Sequence, residues 1–300
     1  MARLSGYGRF MSEADRPILT APAELETALR DGRYADGGPV RVLDVRWRLD
    51  QPDGRADFEL GHIPGAVYVD LDTELALPPE QRRPADGRHP LPAVEVLQQA
   101  ARAWGLDAGD TVVVYDDLKN LSSARAWWLL RHAGVADVRL LDGSLRAWTS
   151  AGNPLETGPT DAPTPGSVTL AYGALPVIPL DGVLEFAASG TLLDARAADR
   201  YRGEVEPVDP RPGHIPGAVS APTTENVDAA GRFLTPSELR ARFAAVGVTD
   251  AAPVGAYCGS GVTAAHEAVA LTLAGFEPAL FPGSYSQWSN HPELPVALGA

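Results

Sequence analysis

The feature that most constrains the fold of this chain is an internal repeat. The segment G-H-I-P-G-A-V occurs at residues 61–67 and again, unchanged, at 213–219. Four such matches in the same order indicate a duplicated unit. Each unit is as long as a complete domain, so the 300-residue chain is predicted to form two domains rather than a solenoid. The other matching pairs are V-L-D-V-R with L-L-D-A-R (42–46 and 192–196), V-V-V-Y-D with V-G-A-Y-C (112–116 and 254–258), and L-L-D-G-S-L-R-A-W with A-L-F-P-G-S-Y-S-Q-W (140–148 and 279–288).

Each repeat alternates strand-like runs with helical stretches. The run T-V-V-V-Y at 111–115 is rich in β-branched residues, which favour strands, whereas 93–104 and 122–133 are typical of helices. In the second repeat, Thr235 stands three residues before Glu238, the spacing of a capping box at the start of a helix. This alternation predicts an α/β fold in which each domain is a mainly parallel sheet flanked by helices on both faces.

The domain boundaries follow from the repeats and from local composition. Residues 153–177 begin with N-P-L-E-T-G-P-T-D-A-P-T-P-G-S, which is rich in proline, glycine and threonine and predicts an extended linker. The domains are then expected at 15–152 and 178–300. Residues 1–14 lack the apolar core of a signal peptide and are predicted to be a disordered lead-in, with Met11 as an alternative start.

Composition excludes several kinds of site. The net charge of −14 disfavours binding to nucleic acid or to an anionic membrane. The chain lacks an apolar run of about 18 residues, so it is not expected to span a membrane. A single cysteine excludes an internal disulfide and any multi-cysteine metal site, and the histidines show no metal-ligand spacing. We therefore expect neither a metal nor another cofactor, and we expect a reducing compartment, the cytoplasm.

The two repeats differ at the place where a parallel sheet would hold its ligand. Cys258, the only cysteine, follows the predicted strand 254–257, and Asp116 stands at the matching position of the first repeat. Ligands of parallel sheets bind beyond the carboxyl ends of the strands. The second domain is therefore predicted to carry the catalytic centre, with the first domain as a structural partner and a wall of the cleft.

The loop that follows Cys258 is suited to hold an anionic sulfur. Its two glycines permit a tight curl in which successive backbone amides converge on the sulfur. The helix predicted to begin near Thr263 adds its positive end, where a thiol ionises more readily. A lone cysteine can also be a small buried hydrophobe, but the glycines and the diverged repeat argue against that interpretation. The residues expected to form this loop site are Cys258, Gly259, Ser260, Gly261, Val262 and Thr263.

The same loop argues against phosphatase or arsenate reductase chemistry. Those enzymes use C-x5-R, in which the arginine clamps the oxyanion through a bidentate fork. The matching position here is Ala264, and the loop contains neither lysine nor arginine.

The doubled domain and the segments D-A-R, R-Y-R-G, G-H-I-P-G-A and C-G-S-G-V-T-A together resemble the two-domain rhodanese-type sulfurtransferases, from about residue 15 to 297. The resemblance implies that the cysteine takes a sulfane sulfur from a donor as a persulfide. The sulfur then passes to a thiol, such as that of thioredoxin, or to cyanide. Members that prefer thiosulfate carry basic residues after the cysteine, whereas C-G-S-G-V-T is similar to members that prefer 3-mercaptopyruvate. The favoured donor is 3-mercaptopyruvate, thiosulfate is the alternative, and the protein is expected to be a monomer. A non-catalytic persulfide carrier or interaction module is the remaining hypothesis.

The resemblance also implies residues that bind the donor. Arg200 falls where the family has a substrate arginine, whose fork fits a carboxylate, although an arginine among acidic residues can also form surface pairs. Where the mercaptopyruvate enzymes have a second arginine, this chain has Val208, and Arg211 three residues later is the candidate substitute.

Some mercaptopyruvate enzymes are thought to use a serine–histidine–aspartate relay, which would correspond here to Ser260, His62 and Asp53. His214 has the same sequence setting as His62 in the other repeat, so both are also explained as turn-stabilising residues beside a proline. Other residues are predicted to be structural, with Asp44 and Asp194 buried against Arg46 and Arg196, Trp127 and Trp128 in packing contacts, and His266 either packed or facing solvent.

Overall fold

The computed structural model describes residues 17–300, so the predicted lead-in at 1–14 lies outside the described residues. The first repeat forms a five-stranded parallel sheet in the order β1-β5-β4-β2-β3, as defined by the ranges that follow. Its strands are β1 (Leu19–Thr20), β2 (Val40–Asp44), β3 (Val67–Tyr68), β4 (Thr111–Tyr115) and β5 (Val138–Leu141). Its helices are α1 (Pro22–Asp31), α2 (Arg55–Leu60), α3 (Leu71–Glu74), α4 (Val94–Ala103), α5 (Ser123–His132) and α6 (Ser144–Ser150).

The second repeat forms a smaller parallel sheet with the same order. The order is β7-β6-β8-β9, and Val177 pairs in parallel with Leu280 at the edge where β1 lies in the first sheet. Its strands are β6 (Thr191–Asp194), β7 (Val219–Ser220), β8 (Val254–Tyr257) and β9 (Ala279–Leu280). Its helices are α7 (Val183–Ser189), α8 (Ala198–Arg202), α9 (Pro236–Ala245), α10 (Thr263–Leu273) and α11 (Ser284–Ser289). The predicted fold, two α/β domains with parallel sheets flanked by helices, is confirmed.

The central strands explain why the repeats read as continuous apolar runs. Every residue of β4 and of β8 is buried, since helices cover both faces of each sheet. The pairing of β6 with β8 sets Asp194 beside Tyr257, and the pairing of β2 with β4 sets Asp44 beside Tyr115. The chain therefore leaves each sheet at its carboxyl edge just before the residue where the repeats diverge.

The repeated aspartate–arginine motif joins this edge to the repeated G-H-I-P-G turn. Arg196 Nη2 donates to Asp194 Oδ2 at 2.6 Å and to the Gly213 carbonyl at 2.7 Å. Arg46 makes the same contacts with Asp44 and Gly61. Both carboxylates are fully buried, as the sequence predicts, so each arginine compensates a charge that would otherwise be costly inside the domain.

The two domains share one hydrophobic cluster. Helices α5 and α10 pack against each other, and the cluster joins Trp127 and Trp128 of the first domain to Ala268 and Val269 of the second. Cys258 belongs to the same cluster. The catalytic candidate therefore lies beside the domain interface, and the two tryptophans have the packing role that the sequence predicts.

The predicted linker is extended and runs along the first domain. Its backbone amides at Val168 and Ala174 donate to the carbonyls of Leu106 and His132, both at 3.1 Å. The Tyr172 hydroxyl donates to the Pro92 carbonyl at 3.0 Å. The linker between the repeats is therefore an extended segment that hydrogen bonds hold against the first domain. Within residues 17–300, no helix combines the length and the apolar character needed to cross a membrane.

Candidate active site

Cys258 lies at the carboxyl end of β8, and its backbone is anchored to the start of α11. Its amide donates to Ser284 Oγ at 3.1 Å, and its carbonyl accepts from the Tyr285 amide at 2.9 Å. The next carbonyl, of Gly259, accepts from the Ser286 amide at 2.8 Å. The loop is thus held from below by the first turn of a helix that lies 26 residues further along the chain.

The Gly261 amide donates to the sulfur, and the Ser284 hydroxyl, which also has the Phe281 carbonyl as an acceptor at 3.0 Å, lies within hydrogen-bonding range of it. The Gly261 amide lies 3.1 Å from Cys258 Sγ, and the Ser284 hydroxyl lies 3.9 Å from it. Gly261 has φ of +80°, and a Cβ there would lie 2.2 Å from the Pro282 carbonyl oxygen. Glycine is therefore required at position 261 both for the left-handed turn and for the close approach of a neighbouring backbone.

Ser284 was not identified from the sequence, although a signal was present. The dipeptide G-S occurs within one of the repeated segments in both domains, at 143–144 and 283–284. Ser144 and Ser284 both have positive φ, of 59° and 54°, which is uncommon for a residue with a side chain. The same strained turn therefore aims a hydroxyl at the end of the central strand in each repeat.

The matching loop of the first repeat shows what this architecture does with an anion. Asp116 stands in place of Cys258, and its carboxylate also accepts from the hydroxyls of Ser123 and Ser144. The loop has become a nest around an internal carboxylate, with the amides as donors. The amides that donate to this carboxylate belong to Leu118, Asn120, Ser122 and Ser123, at 2.8 to 2.9 Å.

A buried arginine of the first domain lies behind the loop that follows Cys258. Arg125, on α5, is fully buried, and its guanidinium donates to the carbonyls of Leu75, His89 and Gly261. Burial lowers the pKa of Arg125 to about 10, while the nearby Cys258 sulfur acts in the opposite direction. The first domain thus brings a positive charge next to the loop, although the loop's own side chains carry none.

Two further guanidinium groups lie above Gly259. A Cβ on this glycine would be 2.9 Å from Arg88 Nη2 and 3.4 Å from Arg200 Nη1. Gly259 does not have a positive φ, so its backbone conformation does not require a glycine, contrary to the prediction. The absence of a side chain leaves room for the two arginines.

Carboxylates hold these arginines in place. Arg200 pairs with Glu206 at 2.6 Å and with Asp209 at 3.0 Å, and Arg88 pairs with the other oxygen of Asp209. Arg88 belongs to the first domain and Asp209 to the second, so this contact closes the top of the loop. The structure therefore brings the guanidinium of Arg200 next to the loop, together with that of Arg88, which was not identified from the sequence.

Arg211, the predicted substitute for the family's second arginine, is committed elsewhere. Its guanidinium donates four hydrogen bonds of 2.8 to 2.9 Å to backbone carbonyls at the end of α11 and beyond. A guanidinium has five N–H donors in a rigid fork, so these bonds leave it nearly saturated. The structure does not bring Arg211 to the loop, and a role in donor binding is not supported. The accepting carbonyls are those of Trp288, Ser289, His291 and Leu294.

The predicted relay residues are not brought together either. His62 is fully buried, with Nδ1 at 2.8 Å from the Phe58 carbonyl and its ring stacked on Phe58. Asp53 pairs with Arg55 at the surface. Within residues 17–300, no hydrogen bond joins His62 to Ser260 or to Asp53. His214 repeats the geometry of His62 on Tyr201, which supports the turn-stabilising interpretation.

Among the described residues, the remaining predicted loop residues make no hydrogen bond to the sulfur. Ser260 and Val262 are buried, and Thr263 is the first residue of α10. His266, about one turn into this helix, is fully buried and bonds to Thr223. In the described part of the chain, no group of three or more histidine, cysteine or acidic side chains is placed to hold a metal ion.

Comparisons with known proteins agree with the repeat. Residues 21–151 and 181–291 each match the family model described as the rhodanese-like domain. The chain is 45% identical over 290 residues to the putative thiosulfate sulfurtransferase SseB of Mycobacterium tuberculosis, covering 96% of this chain and 99% of that one. It is 44% identical over 287 residues to a probable 3-mercaptopyruvate sulfurtransferase of Pseudomonas aeruginosa, covering 92% and 99%. Among solved structures, the 3-mercaptopyruvate sulfotransferase SseA of Escherichia coli matches with a TM-score of 0.77 and 31% identity, covering 90% and 99%.

Proposed function

The chain belongs to the rhodanese family and is a sulfurtransferase, and we propose that it moves a sulfane sulfur from 3-mercaptopyruvate to an acceptor through a persulfide on Cys258. The acceptor is a thiol, such as that of thioredoxin, or cyanide. The protein acts as a monomer in the cytoplasm, where reducing conditions keep a lone thiol free.

The observation that carries this proposal is the geometry at Cys258 Sγ. The sulfur accepts from the Gly261 amide in a loop whose twin, in the first repeat, is filled by a carboxylate. An arrangement that encloses a two-oxygen anion in one repeat is suited to a two-sulfur anion in the other. Preorganised amides of this kind stabilise negative charge without having to reorient during the reaction.

The reaction proceeds by two displacements at sulfur. The Cys258 thiolate attacks the sulfur of the donor, an S–S bond forms, and the C–S bond of 3-mercaptopyruvate breaks. The electron pair leaves with the carbon fragment as the enolate of pyruvate, which takes up a proton. The acceptor nucleophile then attacks the outer sulfur of the persulfide, and the Cys258 thiolate returns as the leaving group within the loop.

The choice of 3-mercaptopyruvate rests on where the positive charges lie. Side chains of the loop from Cys258 to Thr263 are uncharged, and the guanidinium of Arg200 lies at the rim, above Gly259. This arrangement suits a donor whose anionic group is separated from its sulfur by a carbon skeleton. Arg200 is the residue we expect to bind the donor's carboxylate, since its fork fits a carboxylate and Glu206 fixes its orientation.

Thiosulfate is the second candidate donor. The relative from Mycobacterium tuberculosis carries the name of a putative thiosulfate sulfurtransferase, and Arg200 could also attract the charged end of thiosulfate. With this donor, the S–S bond of thiosulfate breaks and sulfite leaves.

Intact-protein mass spectrometry tests the proposal directly. Incubation with 3-mercaptopyruvate should add one sulfur atom to the wild-type protein, and subsequent cyanide should remove it as thiocyanate. Cys258→Ser should show neither the added sulfur nor turnover, while retaining the unfolding transition of the wild type. A ratio of kcat/KM that favours thiosulfate would overturn the donor assignment, and an added sulfur that survives Cys258→Ser would overturn the persulfide site.

A further inference from the structure

We infer that Arg88 of the first domain is a donor-binding residue, and that it forms with Arg200 an anion site above Gly259 that exists only when the two domains are docked. This inference rests on the proposed function, because it assigns the group that would hold the anionic end of the donor. It adds a residue from the domain that carries no catalytic cysteine.

The first support is the direction of the unused donors. Arg88 Nη1 pairs with Asp209, and its Nη2 lies over Gly259. Arg200 uses Nε and Nη2 on carboxylates, and its Nη1 lies over the same glycine. Among residues 17–300, neither Arg88 Nη2 nor Arg200 Nη1 has a hydrogen-bond partner. Two free N–H groups from different domains thus converge on one point beside the reactive cysteine.

The second support is the way that Asp209 joins the two arginines. Its side chain is buried, and its two oxygens accept from Arg88 and Arg200, one each. Glu206, in contrast, also accepts from the backbone amides of Val208 and Asp209. Asp209 therefore acts as a bridge that orients the pair, whereas Glu206 is part of the local loop structure.

The charges around this point agree with a site that receives an anion. Burial raises the pKa of Asp209, and Arg88 and Arg200 offset this effect only in part. Arg88 Nε is buried and has no partner within residues 17–300. The Arg88 side chain is 26% exposed, so a carboxylate bound above Gly259 can reach its free Nη2 and accept a hydrogen bond from it.

The position of Val208 gives a reason for an arginine from the other domain. The family resemblance places a second donor-binding arginine at this position, and Arg211 is held by backbone carbonyls. Val208 is exposed, and its neighbour Asp209 reaches across the interface to Arg88. Arg88 of the first domain therefore supplies the second positive charge, and its position depends on the contact between the domains.

Alkylation of Cys258 by two reagents of similar size tests this inference without requiring turnover. Iodoacetate is anionic and iodoacetamide is neutral, so the ratio of their rates reports the attraction of an anion to the sulfur. Arg88→Met should lower this ratio about tenfold or more, since methionine cannot make the charge-assisted hydrogen bond to the anion. It should also raise KM for 3-mercaptopyruvate with little change in kcat, as expected for an interaction made equally in the ground and transition states.

The controls separate this site from a diffuse charge effect and from misfolding. Arg83→Met removes the same charge from an exposed arginine of the same segment and should leave the ratio unchanged. An unchanged iodoacetamide rate shows that the loop is intact, and Arg88→Lys, which keeps the charge without the fork, should give an intermediate ratio. An unaltered ratio and KM in Arg88→Met would overturn the inference. Failure of the wild type to acquire sulfur from either donor would overturn the proposed function instead.

Discussion

At the scale of single residues, the Cys258 sulfur is contacted by one group close to it in sequence and by one far from it. Gly261 supplies an amide from its own loop, whereas Ser284 supplies a hydroxyl from the start of α11. The first repeat keeps the same serine, Ser144, and has exchanged the cysteine for Asp116. The serine at the start of the following helix is therefore common to both domains, whereas the residue at the end of the central strand and the loop after it differ.

The two repeated histidines allow the relay hypothesis to be tested. His62 and His214 each bond through Nδ1 to a carbonyl at 2.8 Å and stack on an aromatic ring. We expect His62→Asn and His214→Asn to lower the free energy of unfolding by similar amounts, about 1–3 kcal/mol, since each loses one buried hydrogen bond and its packing. Urea unfolding gives these values.

Single-turnover kinetics distinguishes this turn role from catalysis. Both variants, measured below their unfolding transitions, should transfer sulfur at the wild-type rate with the wild-type pH profile. A slower transfer with an altered pH profile in His62→Asn alone would establish the relay and contradict the turn interpretation.

At the scale of elements, helix α10 carries a buried polar cluster near its start. Glu267 is fully buried and accepts from Asn226 Nδ2 at 2.7 Å, and its neighbour His266 bonds to Thr223. Burial raises the pKa of Glu267 to about 7, and Arg242 and the hydrogen bonds offset this only in part. Burial also lowers the pKa of His266 to about 3. His266 is therefore neutral at neutral pH, whereas Glu267 changes its charge near neutral pH, in the helix that follows the Cys258 loop.

The Glu267 carboxyl predicts a loss of stability as the pH rises. The folded protein retains a proton that the unfolded chain releases above its ordinary pKa of 4.5, so stability falls between about pH 4.5 and 7. Glu267→Gln keeps the acceptor for Asn226 without the titration. We expect the variant to gain about 3 kcal/mol relative to the wild type on going from pH 4.5 to pH 8, at 1.36 kcal/mol per unit of pKa.

Chemical denaturation at the two pH values measures this difference, and other titrating groups cancel between the variant and the wild type. Glu225→Gln is the matched control, since its carboxylate is exposed and close by, and it should show no comparable gain. An equal gain in both variants would contradict the assignment to Glu267.

At the scale of the whole molecule, the first domain contributes to the candidate site although it lacks a cysteine. It brings Arg88 above the loop and Arg125 behind it. Helix α5, which carries Arg125, packs on α10 in the shared hydrophobic cluster. The first domain therefore supplies part of the candidate site, and the site has this geometry only while the two domains are docked.

Arg125 tests this coupling. Arg125→Met leaves the buried carbonyls of Leu75, His89 and Gly261 without their donor, so we expect a loss of about 3 kcal/mol or more in the free energy of unfolding. The rate of persulfide formation should fall as well, because the loop loses its support from the first domain. Arg131→Met, on the same helix, removes a partly exposed arginine with one carbonyl contact and serves as the control. Equal effects of the two substitutions would contradict this role of Arg125.

The sequence by itself determined the duplication, the parallel α/β domains and the family, and it singled out Cys258 as the candidate nucleophile. These properties are carried by local patterns, such as apolar runs of strand length, capping residues and a glycine-rich turn after a strand. Helix α9 shows this, since Thr235 and Glu238 form the predicted capping box within one turn of chain. Such signals can be read because the interacting residues are neighbours in sequence.

Only the tertiary structure decided which side chains surround the sulfur. Three side chains near the loop come from elements that are distant in the chain, namely Arg88, Arg125 and Ser284. Arg211 is close in sequence to the expected position, but its guanidinium is hydrogen-bonded to backbone carbonyls near α11. His62 likewise fits a family pattern and is held within its own domain. The physical reason is that the docking of α5 on α10 sets these distances, and no local pattern in the sequence encodes how two preformed surfaces pack.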